Sequence, residues 1–190
     1  MSMHEASPAA LAALERGTTT AEAFAFFDAL PAVGVDEVLG RWRGSGLPTG
    51  HPLDGVLEAL GWHGKRFAGP LDAHPLICDD GRGGLVDVNP AFVPLPLLLR
   101  FPAVFRHPVV ARPARAALPL LGTRRPRARL RSAACRGVVT ATMTYDALPI
   151  DDAFRAVDDD TLLGLMEARG MRDPFFFVLR RATAAARTPL

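Results

Sequence analysis

Residues 40–67 read GRWRGSGLPTGHPLDGVLEALGWHGKRF, and they hold both tryptophans and the only lysine of the 190-residue chain. The glycines around Trp42 allow a sharp entry turn, and its indole is large enough to plug the base of a β-structure if the N–H finds an acceptor. Pro52 starts a helical turn or two, with Leu53, Leu57 and Leu60 on one side and Gly61 past the end. Trp62 to Phe67 then reads as a strand on which His63, Lys65 and Phe67 share one face and Trp62, Gly64 and Arg66 the other.

Downstream, His74–Cys78 and Leu85–Asn89 read as strands joined through the turn DDGRGG. The last third has the same character. Arg127, Arg129 and Arg131 alternate with Ala128, Leu130 and Ser132, and Val139, Ala141, Met143 and Tyr145 oppose Val138, Thr140, Thr142 and Thr144. Polar turns at Asp158–Asp160 and Gly170–Asp173 set off the runs Thr161–Ala168 and Phe175–Arg181. Strands so evenly spaced predict an antiparallel sheet that curls into a barrel or sandwich. The triplet Phe175, Phe176 and Phe177 predicts a strand buried on both faces, one inside and one under helices.

Two helices open the chain. Ser7 caps one that begins at Pro8 and ends at Gly17, and Thr19 with Glu22 forms a capping box for a second carrying Phe24, Phe27 and Leu30. Residues 90–126 hold eight of the 17 prolines, yet their leucines and phenylalanines require burial, so they predict short helices packed over a core or a cavity mouth.

Hydrophobic residues at 49% and charged residues at 22% describe an ordinary globular chain, and the short apolar runs exclude a membrane-spanning helix. With no leader pattern and only Cys78 and Cys135, the expected setting is cytoplasmic, without disulfides. The net charge of +2 hides an asymmetry: Val88–Tyr145 carries ten arginines and no acid, leaving 12 basic against 20 acidic residues elsewhere. This stretch is read as solvated or paired with Asp151, Asp152 and Asp158–Asp160, with contact to an anionic membrane surface as the alternative. Few aromatics interleave with the arginines, so no nucleic-acid partner is expected. His51, His63, His74 and Cys78 match no zinc spacing, and no phosphate loop, nucleophile elbow or dinucleotide fingerprint is present; neither metal nor cofactor is expected. His51 reads as a turn cap before Pro52.

The segments GRWRG (40–44), GHP (50–52) and GWHGKRF (61–67) resemble the bacterial GXWXG-domain family. The stretch 142–170, TMTYDALPIDDAFRAVDDDTLLGLMEARG, followed by FFFVLRR, is similar to the domain of unknown function 4334. The resemblance implies no reaction. The glycine–tryptophan–glycine entry is also similar to the start of lipocalin-like barrels, where a tryptophan packs across the closed end. The expected fold is therefore mainly β: an antiparallel lipocalin-like (calycin-like) barrel with short N-terminal helices and a helical, proline-rich insertion. Its expected divisions are 1–33 for the helices, 34–95 for the first half of the barrel, 96–126 for the Pro/Arg-rich connection, 127–183 for the closing meander and 184–190 for a tail.

Three residue types occur once: Lys65, Asn89 and Tyr145. In a chain whose other basic residues are all arginine, a surviving lysine suggests a place where guanidinium does not substitute for ammonium. Lys65 in a barrel interior would need a carboxylate from protein or ligand. Tyr145 follows Ala141 and Met143 on an apolar face, with its hydroxyl as a polar handle. The expected function is binding of a small apolar molecule, fatty-acid-like or another hydrophobic carboxylate or carbonyl compound. Lys65, His63 and Tyr145 are the expected contacts, with Trp42 and Trp62 as walls. An enzyme of decarboxylase or isomerase type is the alternative, with Tyr145 or His63 as acid or base and Lys65 or Arg131 holding a carboxylate. A structural protein with a filled core is the third. The oligomeric state is not legible.

Overall fold

Ser7 and Thr19 start the first two helices as their side chains dictate. In a computed structural model that describes residues 7–182, Ser7 Oγ accepts from Ala10 N–H at the head of α1 (Pro8–Leu14). Thr19 and Glu22 form the full capping box of α2 (Thr20–Ala29). The expected tail, 184–190, lies outside the described residues.

Nine strands follow among the described residues: β1 (Gly40–Gly46), β2 (Trp62–Gly69), β3 (Asp72–Asp79), β4 (Leu85–Asp87), β5 (Ala128–Cys135), β6 (Val138–Tyr145), β7 (Ile150–Asp158), β8 (Thr161–Ala168) and β9 (Phe175–Arg181). The order β2-β1-β9-β8-β7-β6-β5-β3 closes on itself through a β2–β3 pairing, giving an eight-stranded antiparallel barrel, with β4 added on the outer end of β3. Two strands differ from the sequence reading. Gly40–Gly46 is not an entry turn but a full strand between β2 and β9, because its glycines let neighbouring rings lie against it. A Cβ on Gly44 would meet the Trp62 ring at 2.3 Å. Ile150–Asp158, unassigned in that reading, is β7.

The barrel seam is thin at one place. β3 meets β5 through the single register pair Ala73↔Ala128, supported by Arg127 N–H to Ala73 C=O and Leu130 N–H to Pro70 C=O. Past Ala73, β3 pairs with β4 instead. The proline-rich insertion rises beside this opening, its ends stapled by Asn89 N–H to Leu121 C=O, Thr123 N–H to Asp87 C=O and the bridge Val88↔Gly122. It folds into α4 (Leu95–Arg100), α5 (Pro102–Arg106) and α6 (Pro108–Ala117), each with proline in its first turn, where the missing N–H costs nothing. A further short helix, α3 (Val56–Ala59), lies between β1 and β2. No helix among the described residues is long and apolar enough to cross a membrane.

Two cores result. The barrel interior holds Trp42, Trp62, Phe67, Met143, Tyr145, Phe154, Phe175 and Phe177, while Leu11, Phe26, Phe27, Leu163 and Phe176 form a second cluster where α1 and α2 cover the outside. Period-2 alternation puts Phe175 and Phe177 inside and Phe176 outside, edge-on to Phe24 at 5.2 Å and Phe27 at 6.2 Å. Each such ring contributes roughly 2–3 kcal/mol by leaving water.

Candidate functional site

A glycine decides where Lys65 points. Gly64 has φ +152°, and a Cβ there would lie 1.9 Å from the Trp42 carbonyl oxygen. The β2–β3 register shifts on both sides of Gly64, so β2 does not alternate strictly. Trp62 and Lys65 therefore face the interior together, and His63, expected beside Lys65, is displaced from it: Trp62 and Lys65 line the cavity and His63 does not.

The Lys65 ammonium, 3% exposed, has three acceptors for its three N–H groups: Asp152 Oδ2 at 2.8 Å, the Tyr145 hydroxyl at 3.3 Å and the Pro75 carbonyl at 3.3 Å. Three rings surround it, with centroids at 5.0 Å (Phe177), 5.6 Å (Trp62) and 5.6 Å (Tyr145). Such cation–π contacts strengthen when water is excluded. Asp152, fully buried, arrives from β7, where Ile150 and Phe154 face inward with it. Its neighbour Asp151 faces out to Arg131. Tyr145 reaches the cluster from the end of β6.

Burial raises the pKa of the Asp152 carboxyl, and the charge of Lys65 opposes that rise. Burial, and then the charge of Asp152, push the Tyr145 phenol well above its ordinary value, so it stays an O–H donor. Asp152 Oδ1 is buried and has no hydrogen-bond partner among the described residues.

Lys65 and Tyr145 give the polar end to an otherwise apolar cavity of about 50 Å³ under the insertion. Trp62, Met166 and Phe177 form its wall, and Leu57, Val93, Leu95 and Leu98 its roof. That volume holds a few water-sized groups, against roughly 300–1,000 Å³ for a drug-sized site. An extended fatty-acid chain fits only if the roof moves.

The remaining candidates lie elsewhere. Trp42 packs toward the opposite end, its indole N–H donating to Val38 C=O at 2.7 Å and the Arg181 guanidinium 4.3 Å above it, beside a surface groove of about 410 Å³. Burial and Arg43 lower the pKa of His63. Arg131 pairs with Asp151 on the outer face and does not reach the cavity. His51 caps its turn, its Nδ1 accepting from Leu53 N–H at 3.1 Å. His74 lies between Asp72 (2.9 Å) and Asp87 (2.8 Å), while Cys78 belongs to the interior cluster, its thiol pushed up to about 12 by burial. Among the described residues no three His, Cys, Asp or Glu side chains group as a metal site requires.

Sequence reasoning placed Asp152 in a surface acidic cluster. The missed signal was the alternation Ile150, Asp152, Phe154, which sets a carboxylate on an apolar face. Arg155, 2% exposed, was missed too. It donates to the Leu30 carbonyl at 3.3 Å, just past the end of α2, and to Cys135 C=O at 3.4 Å, favourable at the negative end of a helix.

Comparison with known proteins places two family models on the chain: the GXWXG protein model over residues 25–83 and the domain of unknown function DUF4334 over residues 126–181. A crystal structure of a protein from Thermomonospora curvata is similar, with 32% sequence identity, TM-score 0.64, and coverage of 86% of this chain and 87% of that one. No curated protein matches.

Proposed function

Because this chain belongs to the family in which a GXWXG segment is joined to a DUF4334 domain, and those two parts together build one closed barrel, we propose that the barrel binds a small hydrophobic molecule carrying a carbonyl group. The observation that carries this reading is a buried ammonium in the wall of an apolar cavity. Lys65 already holds a carboxylate from the protein. A second carboxylate, from a ligand, would crowd two anions onto one ammonium, whereas a carbonyl needs only a hydrogen bond from the Tyr145 hydroxyl. Trp62 and Phe177 supply the apolar contact; Trp42 takes the closed-end role familiar from lipocalin-like barrels. Two free cysteines, one of them buried, suit a reducing, cytoplasmic setting.

An enzyme of decarboxylase or isomerase type is the second reading, favoured by the contact of lysine and tyrosine and by Asp152 on the same ammonium. Native mass spectrometry of protein purified from its host tests the first: a bound small molecule is expected, and it is lost in Leu98→Trp, which fills the cavity. An empty wild type that also fails to take up 2-butanone or 2-butanol, read from Trp62 fluorescence, overturns the proposal. Conversion of the bound compound decides for the enzyme.

A further inference from the structure

We propose that Lys65 is a nucleophile that captures an aldehyde or ketone in this cavity as a Schiff base, with Asp152 as its proton partner and Tyr145 as hydrogen-bond donor to the carbonyl oxygen. The inference rests on the binding reading above and goes one chemical step further. An inward ion pair is a poor way to stabilise a barrel, since desolvation of both ions consumes most of their attraction. This pair also stands at the cavity rather than deep in packed side chains, because Lys65 and Tyr145 line the free volume and Asp152 Oδ2 is 2.8 Å from Nζ.

The step balances. The ammonium gives one proton to the Asp152 carboxylate across that hydrogen bond, and the freed nitrogen lone pair attacks the carbonyl carbon. A C–N bond forms, the C=O π pair moves to oxygen, and a proton passing from the now cationic nitrogen to that oxygen gives a neutral carbinolamine. Asp152 returns its proton to the hydroxyl, which leaves as water while the nitrogen lone pair forms the C=N bond, and a protonated imine remains with Asp152 again a carboxylate beside one positive charge. Charge in the site is the same before and after, so no ion is left unpaired at low dielectric. Burial raises the proton affinity of Asp152, which suits it to hold the proton in the middle of the sequence. The raised phenol pKa keeps Tyr145 a donor throughout. The aromatic rings that stabilise the ammonium meet the iminium equally well. A protonated imine is an electron sink, so loss of a proton from a neighbouring carbon of the bound compound becomes accessible.

Lys65 is the chain's only ε-amine, which makes the test clean. Wild-type protein is incubated at neutral pH with butanal and sodium cyanoborohydride, and peptide mapping separates labelling of Lys65 from labelling of the N-terminal amine. The expected result is one butyl group on Lys65, with Asp152→Asn slowing its attachment on the order of 10²-fold, the usual worth of a placed proton acceptor, and Tyr145→Phe slowing it less. Lys65→Arg abolishes internal labelling. Butanol, which cannot form an imine, reports binding alone through Trp62 fluorescence. Butanol binding without butanal trapping overturns the covalent step and leaves the binding reading standing; failure of both overturns both. Should Asp152→Asn not fold, the wild-type trapping result still decides.

A different observation carries a second inference: the structure assigns the insertion as a docking surface for an anionic bilayer. Of the ten large hydrophobic side chains exposed among the described residues, six, Phe92, Leu97, Phe101, Val104, Val109 and Leu120, lie in this one segment, Val109 and Leu120 at 74% and 86%, while Leu71, Leu85, Val138 and Val139 lie singly or in pairs elsewhere. Its charges are all arginine; Arg115 pairs with Asp79, whereas Arg100 and Arg112 have no carboxylate partner among the described residues. Apolar side chains with only positive charge fit a phosphatidylglycerol surface, not a neutral one. Leu95 and Leu98 of α4, the helix that carries Leu97 and Arg100, roof the cavity, so docking there would present the roof to lipid. Cosedimentation with phosphatidylcholine vesicles, with and without phosphatidylglycerol, checks it. Binding to the mixed vesicles alone, weakened at least tenfold by Arg100→Glu with Arg112→Glu, is expected; equal binding to both, no binding, or burial of the patch by self-association overturns it.

Discussion

Replacing Lys65 by methionine and Asp152 by leucine, singly and together, is the sharpest test of how this barrel tolerates its buried charges. At 2.8 Å and an effective dielectric near 20, the attraction is about 6 kcal/mol. Desolvation costs several kcal/mol for each ion and offsets most of it. Removing one partner leaves the other charge with its full desolvation cost, so Lys65→Met or Asp152→Leu alone is expected to lose about 3–5 kcal/mol. The double variant removes both costs, and methionine keeps contact with the three rings through its thioether. Its stability is expected to fall within about 1 kcal/mol of wild type, or above it. Urea unfolding followed by circular dichroism reads all four proteins. Single losses below about 1 kcal/mol, or a double loss equal to the sum of the singles within about 0.5 kcal/mol, would refute the picture of a tightly coupled interior pair.

Further outcomes follow from local geometry. Gly64→Ala, with its Cβ 1.9 Å from a backbone oxygen at φ +152°, is expected to lose more than about 3 kcal/mol, whereas Gly69→Ala, with nothing within 4 Å, should stay within about 0.5 kcal/mol; thermal denaturation separates them. In native protein at pH 8, only Cys135 should react with a thiol reagent on the minute scale. A thiol near 12 is thiolate in roughly one molecule in 10⁴, so Cys78 should appear only in denaturant. Burial lowers the pKa of His51 below 6.5. Its unfolded form therefore binds a proton before the folded form does, and its contribution is lost as pH falls below 6.5. His51→Asn keeps an acceptor for Leu53 N–H, and it should reduce the drop in Tm between pH 7 and pH 5; an unchanged drop would exclude His51 as the group responsible.

Much of the fold was legible because barrel strands with one face inside carry their period in the open. The triplet Phe175–Phe177, the capping box at Thr19 and Glu22, and the apolar row Ala141, Met143 and Tyr145 each stated a side, and the folded chain uses those sides. Strand β1 was hidden for the opposite reason. Gly40, Gly44 and Gly46 have no side chains to alternate; Gly40 lies against Arg181, Gly44 against the Trp62 ring, and Gly46 against Glu58 and Phe175. Glycine pattern announces an unusual backbone, but which ring lies against it is a tertiary fact.

The candidate site was half legible on similar grounds. Singleton residues pointed to Lys65 and Tyr145, which are 80 positions apart and come into contact only when the barrel closes. Strict alternation on β2 then misled, since the shift at Gly64 exchanges Trp62 for His63 on the face of Lys65. Asp152 was masked by its company, one acid in a run where Asp151 is solvated and pairs with Arg131. An unpaired lysine in the cavity would have called for an anionic ligand. With Asp152 in place the positive charge is already answered, and that is the ground on which the guest proposed for this interior is a carbonyl compound rather than an anion.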